Sequence, residues 1–133
     1  MKWTKAETDF IDPLRVARLA TVDAGGMPHN VPICPLFFDG KIYFGTEVNA
    51  KKVRNIKTNP NVALAFDDYT DAWQHLHGIM VQGRARVVGP KEFLRLRRKF
   101  YYKYLHYEST SPLKDDDSAI VEVEPLKKFS WGL

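Results

Sequence analysis

The chain has 133 residues, 44% hydrophobic, 13% aromatic and 27% charged, with 20 Lys and Arg against 16 Asp and Glu for a formal charge of +4. Those values exclude an unfolded chain and are expected to make one globular domain over residues 1–133, with no room for a second. A single cysteine, Cys34, excludes an intrachain disulfide, and the longest apolar run, Val31 to Phe38, is far short of the about 20 residues a membrane-spanning helix needs.

Met1 to Glu7 has no apolar signal core, so the protein is expected in the cytoplasm with no membrane partner. Thr4 followed three residues later by Glu7 is a capping-box pattern that starts a short helix at Lys5, and Pro13 ends it at Asp12. Arg18 to Val22 reads as a strand, and Asp23-Ala24-Gly25-Gly26 as a turn in which paired glycines supply positive φ. His29 to Phe38 reads as a second strand, one that Pro32 and Pro35 make an edge, bulged or irregular. Asp39-Gly40 is a hairpin turn into a third strand, Lys41 to Thr46. A helix follows over Ala50 to Asn59, with Val53 and Ile56 on its buried side, and then a buried strand, Val62 to Phe66.

Asp67 to Gln74 reads as a loop or single helical turn, and Gly78 to Val88 as a long strand in which Ile79, Val81, Gly83, Ala85 and Val87 share one face. Pro90 suits a helix N1 position, and Phe93, Leu96, Phe100, Tyr104 and Tyr107 recur at helical spacing on one apolar face. Glu108 to Asp117 reads as a polar loop, and Ala119 to Val123 and Lys127 to Trp131 as two closing strands around Pro125. The fold class is mainly β with flanking helices, an antiparallel barrel of six to seven strands.

Gly45 to Lys52 joins a strand end to a helix start. Backbone N–H groups there point at an incoming anion, and Lys51 and Lys52 stand at the wrong end of the helix dipole for the helix's own benefit. A phosphate docked there accounts for both, as does a solvated lysine pair on an exposed turn. The helix carrying Lys91, Arg95, Arg97, Arg98, Lys99 and Lys103 interleaves them with Phe100, Tyr101 and Tyr102, a pattern that can bind nucleic acid, but its apolar stripe already accounts for Phe100, so nucleic acid is not expected as a partner. His75 and His77 lie two apart, as on one face of a strand, yet no cysteine or carboxylate at ligand spacing completes a set, so no metal is expected. Cys34 reads as a small buried side chain. No nucleophile-elbow, P-loop, zincin or dinucleotide-binding motif occurs.

Several segments together resemble the pyridoxamine 5'-phosphate oxidase-like, FMN-binding split-barrel superfamily. They are Val16 to Val22, Gly26-Met27-Pro28-His29-Asn30-Val31-Pro32-Ile33, Asp39 to Phe44, the Lys51-Lys52 helix with Asn59 to Ala63, and Gly83 to Val87. Asp68 to Trp73 and the terminal Trp131 are similar to a subgroup described as F420-dependent. The resemblance spans nearly the whole chain.

It implies a homodimer with two flavin sites, each built from both subunits, and FMN as cofactor, with F420 as the alternative. The strand holding His29, Asn30, Val31, Pro32 and Ile33 would run along the isoalloxazine and ribityl chain. Gly45 and Thr46 would hold the ribityl-phosphate arm, and Lys51 and Lys52 the phosphate. The oxidase's ring-contacting glutamine has Gly78, flanked by His77, as its nearest position here. His77 and Tyr69 would line the substrate side, and Trp131 would reach a flavin edge or seal the barrel. No catalytic acid or base is identified. The oxidase's substrate-phosphate residues and C-terminal segment have no match, so vitamin B6 oxidation is not implied. The implied activity is hydride transfer between bound FMN (or F420) and a small conjugated substrate, with a non-catalytic flavin-binding or haem-binding protein as the alternative.

Overall fold

The computed structural model describes every residue, Met1–Leu133. Helix α1 (Lys5–Ile11) begins on the capping box read from the sequence: Glu7 N–H donates to Thr4 Oγ1 and Thr4 N–H to Glu7 Oε1. Strand β1 (Ala17–Val22) turns into β2 (Pro28–Ile33). In that turn Asp23 Oδ1 accepts from the N–H groups of Gly25 and Met27, and only Gly26 has positive φ. Strand β3 (Leu36–Phe38) meets β4 (Lys41–Glu47) through Asp39 and Gly40, both at positive φ, as a two-residue hairpin of the mirror-image type requires. Helix α2 (Lys51–Thr58), β5 (Asn61–Asp67) and a single 3-10 turn (Trp73–His75) lead to β6 (Gly78–Val87). Helices α3 (Pro90–Lys103) and α4 (Tyr107–Thr110) precede the last strand, β7 (Ser118–Trp131).

The seven strands form one antiparallel sheet in the order β2-β1-β5-β6-β7-β4-β3. This corrects the reading of His29 to Phe38 as one strand. Its two halves are β2 and β3, at opposite edges of the sheet, with Cys34 and Pro35 between them. Ile33 and Leu36 are three residues apart, so the chain holds the two edges within about 10 Å at that corner. A sheet tethered edge to edge at one corner must curl, and it does so into a half-barrel. Lys103 closes the corner, donating from Nζ to Leu14 O (2.7 Å) and Pro35 O (2.9 Å).

Two further readings change. The two closing strands are one, β7, with a register shift opposite Gln82 and Gly83. Pro125 is tolerated because it lies just past the last β4 pairing, Ile42 with Val123, where β7 becomes free on that side. Gly83 is required at the shift, since a Cβ there would stand 2.3 Å from Glu124 O. The polar segment after Tyr107 begins with α4 rather than loop. Of the residues read on one face of β6, Ile79, Val81, Gly83 and Ala85 are buried, while Val87 is exposed.

The concave face of the sheet holds the main core, including Leu19, Phe44, Leu64, Phe66, Ile79 and Val121, with Ile11 and Ile56 from the first two helices. A second core lies between α3 and the opposite face of the β3-β4-β7 region, built on Tyr43, Ile120, Phe93, Leu96 and Phe100. Outward residues of the rest of the sheet, among them Ala20, Ala63, Ala65, Met80 and Phe129, pack under no helix. No helix is long and apolar enough to cross a membrane.

Candidate functional site

The strand-to-helix junction from Gly45 to Lys52 forms one wall of a cavity of about 870 Å³. Thr46, Ala50 and Lys52 line it from the β4–α2 side, and Tyr107, Leu113 and Ser118 from the α4–β7 side. Alternation along β4 puts Thr46 on the concave face with Ile42 and Phe44. Gly45 faces the other way: a Cβ there would lie 2.7 Å from Leu113 and 2.8 Å from the Tyr107 hydroxyl. The glycine is thus explained by the wall it lets close. Burial, with a smaller contribution from Cys34, pushes Tyr107 up to about 12, so its hydroxyl stays neutral at physiological pH.

Helix α2 opens this cavity with an uncapped N-terminus. Ala50 is extended, offers no side-chain oxygen, and no acidic residue stands in the first turn. The first N–H groups of the helix and the half-buried Lys52 therefore stand at one end of the cavity, while the exposed Lys51 lies beside it in the same turn and outside its lining. Glu47, Asp116 and Asp117 also line it, making an acceptor-rich rim.

A polar contact ties this junction to β2. Asn55, buried one turn into α2, donates from Nδ2 to Thr21 Oγ1 at 3.0 Å, and Thr21 pairs with His29. His29, Val31 and Ile33 share the concave side with Leu19 and Thr21, while Asn30 and Pro32 pair with the outward Ala20 and Arg18. His29 Nδ1 is buried with no hydrogen-bond partner. β2 pairs only with β1, so its other main-chain edge is open to a ligand or another chain.

His77 and Trp131 stand at the far end of the half-barrel. Gly78 pairs with Trp131, whose ring lies so close that a Cβ on Gly78 would be 1.9 Å from it. His77 Nδ1 is 3.4 Å from Asp68 Oδ2, and the imidazole rests 6.0 Å from the Phe10 ring. Ala85, seven residues further along β6, donates to Pro60 O just past α2 (2.8 Å), which puts about 20 Å of strand between the two groups. The structure thus brings Thr46, Lys51, Lys52 and His29 to one end and leaves His77 and Trp131 at the other.

Two readings of single side chains change as well. His75 and His77 do not share a strand face, because His75 belongs to the 3-10 turn. Cys34 is exposed, since it sits in the break between β2 and β3 and not in a strand. Sequence reasoning also missed Asn55, Tyr107 and Leu113 as parts of this end, and Asp68 as the partner of His77. Tyr107 was legible only as one member of an apolar stripe, and nothing local marks Asn55 as facing Thr21, 34 residues away.

A family model described as pyridoxamine 5'-phosphate oxidase matches residues 3–132. None of the curated proteins matches the chain. Among solved structures, a conserved hypothetical protein from Mycobacterium tuberculosis is similar at a TM-score of 0.81 and 24% identity, over 98% of this chain and 86% of that one. A heme storage protein from Vibrio cholerae is similar at 0.81 and 17%, over 97% and 94%. An F420 reductase is similar at 0.74 and 21%, over 96% and 98%. These likenesses show the shared fold, the split barrel that the sequence segments resemble.

Proposed function

The chain belongs to the pyridoxamine 5'-phosphate oxidase family, and from that membership we propose that it is a flavin- or deazaflavin-dependent oxidoreductase, moving hydride between FMN (or F420) and a small conjugated substrate. The observation that carries this reading is the uncapped α2 N-terminus with Lys52 at one end of an 870 Å³ cavity and Lys51 next to it in the first turn. Small-molecule sites run to about 300–1,000 Å³, so the space suits a cofactor of this size. The lysines and helix N–H groups suit its phosphate. The acceptor-rich rim suits the hydroxyls of a ribityl chain, and the orphaned His29 Nδ1 and the open β2 edge offer polar groups to a flat ring system.

On this reading Lys51, Lys52 and Thr46 hold the phosphate arm, and the His29 to Ile33 strand orients the ring. Gly45 shapes the wall by admitting Leu113 and Tyr107. A bound flavin or deazaflavin itself supplies the hydride chemistry. The protein's part is to bind it, fix its face and keep water away. The uncovered outer face with Ala20, Ala63, Ala65, Met80 and Phe129 suits a second copy of the chain. A homodimer would let His77 and Trp131 of one copy serve the cavity of the other, which suits their separation within one chain.

The likeness to a heme storage protein favours a second reading, haem binding without catalysis, in which the exposed His75 or the half-exposed His77 would reach the iron. Non-catalytic flavin carriage is the weaker form of the first reading. Separate titrations with FMN, F420 and hemin test them. Saturable quenching of FMN or F420 fluorescence, with reduction of the bound cofactor by a donor and reoxidation by an acceptor, is expected. A Soret band with hemin, lost in His75→Ala or His77→Ala, and no flavin binding would replace the first reading with the second.

A further inference from the structure

Helix α3 carries more positive charge than its own fold uses. Arg97 is spent on Asp115 (3.0 Å), and Lys103 on the Leu14 and Pro35 carbonyls. Lys91, Arg95, Arg98 and Lys99 have no carboxylate within the 4.0 Å of an ion pair, and neither does Arg15 across the groove. Lys91, Arg95 and Arg98 recur four and three residues apart, so they stand on one exposed helix face with Tyr102 four residues further on.

Tyr102 is the informative residue. It lies outside the buried stripe of Phe93, Leu96 and Phe100, and it is 87% exposed. Beside it runs a groove of about 710 Å³ between α3 and the chain from Asp12 to Arg15 with β3. Lys99 Nζ sits 4.1 Å from the centre of the Phe38 ring on the groove wall, so one cation is held in place rather than left free in solvent. Asp12 is the one carboxylate in that lining.

We propose that this face binds single-stranded nucleic acid, with phosphates along the α3 cations and a base stacked on Tyr102. The charge alone suits any polyanion. The exposed ring favours nucleic acid, because every base has a face to stack on it and an acidic peptide would leave it idle. The site is separate from the α2 cavity, and its test does not depend on the cofactor.

The experiment is fluorescence anisotropy of a labelled twelve-residue oligothymidylate with the full-length protein, between 50 and 200 mM salt. Five engaged cations give a slope of about −3.5 in log K against log salt, which is about a 100-fold loss over that range. Arg95→Ala with Arg98→Ala should flatten the slope by about 1.4. Tyr102→Ala should weaken binding about tenfold and leave the slope unchanged. Both variants alter exposed side chains, and an unchanged melting temperature checks that they fold. Lys51→Ala with Lys52→Ala should bind the oligonucleotide as the parent does. No binding at 50 mM salt, loss of binding in the Lys51/Lys52 variant, or equal binding of a polyglutamate peptide with no effect of Tyr102→Ala would each overturn the proposal.

Discussion

Lys128→Ala is a sharp test of how α1 is fastened to the barrel. Lys128 Nζ donates to both carboxylate oxygens of Glu7, at 2.7 and 2.9 Å, from the free half of β7. The Glu7 side chain is 4% exposed and that of Lys128 18%, so water cannot replace the partner. Burial pushes the Glu7 carboxyl up, but the Lys128 ammonium, the Thr4 N–H and Ser130 together outweigh it and hold the group below its usual range. Removing one partner of a buried pair costs about 3–5 kcal/mol at neutral pH, a fall of roughly 11–18 °C in melting temperature for a domain of this size.

The pH dependence carries the stronger test. In the parent, the folded-state pKa of Glu7 is depressed. Its stabilisation is therefore present above the unfolded carboxylate pKa and is lost as pH falls through the folded one. In the variant the desolvation is no longer balanced, so the folded pKa rises above the unfolded value. The penalty is then full at neutral pH and is relieved as pH falls from about 7 toward 4. Urea denaturation followed by circular dichroism at several pH values measures the gap. A gap that stays constant from pH 7 to pH 4, or one below about 1 kcal/mol throughout, would refute this reasoning. Glu7→Gln combined with Lys128→Met should recover most of the loss, since it leaves no unpaired buried charge.

Glu122→Gln should destabilise the α3 side by about 2–3 kcal/mol in the same assay. The Glu122 carboxylate is 5% exposed, and it accepts from Arg86 Nε and Nη2 and from the Tyr43 hydroxyl. Gly83→Ala should cost more than about 2 kcal/mol, because the new Cβ meets the rigid Glu124 carbonyl; a melting temperature equal to the parent's would show that the β7 register shift can relax. Lys51→Ala with Lys52→Ala should weaken FMN or F420 binding at least tenfold without lowering the melting temperature, since charge-assisted phosphate contacts contribute about 1.5–3 kcal/mol each. Unchanged affinity by fluorescence titration would remove α2 from the site.

Much of the local structure was legible because its causes are local. Thr4 and Glu7 cap α1 three residues apart, Asp39-Gly40 takes the one turn that positive φ at both positions allows, and the alternation in β6 sorts its faces. The strand-to-helix junction from Gly45 to Lys52, proposed above to hold an anion, was legible for the same reason: it is one continuous stretch, and dipole and charge act within a turn of helix. Partnership was not legible. Glu7 finds Lys128 across 121 residues, Tyr43 finds Glu122 across 79, and no spacing rule reaches that far.

The same limit explains the larger corrections. His29 to Phe38 is continuous in apolar character, and only the sheet order reveals that its halves occupy opposite edges. Pro125 looks like a strand break until β4 is seen to end opposite Val123. Capping, turn type and face alternation come from interactions among neighbours in the chain, so the sequence by itself determined them. Strand order, the curl of the half-barrel, and the separation of His77 and Trp131 from Lys51 and Lys52 depend on which distant surfaces bury each other, and only the tertiary structure decided those.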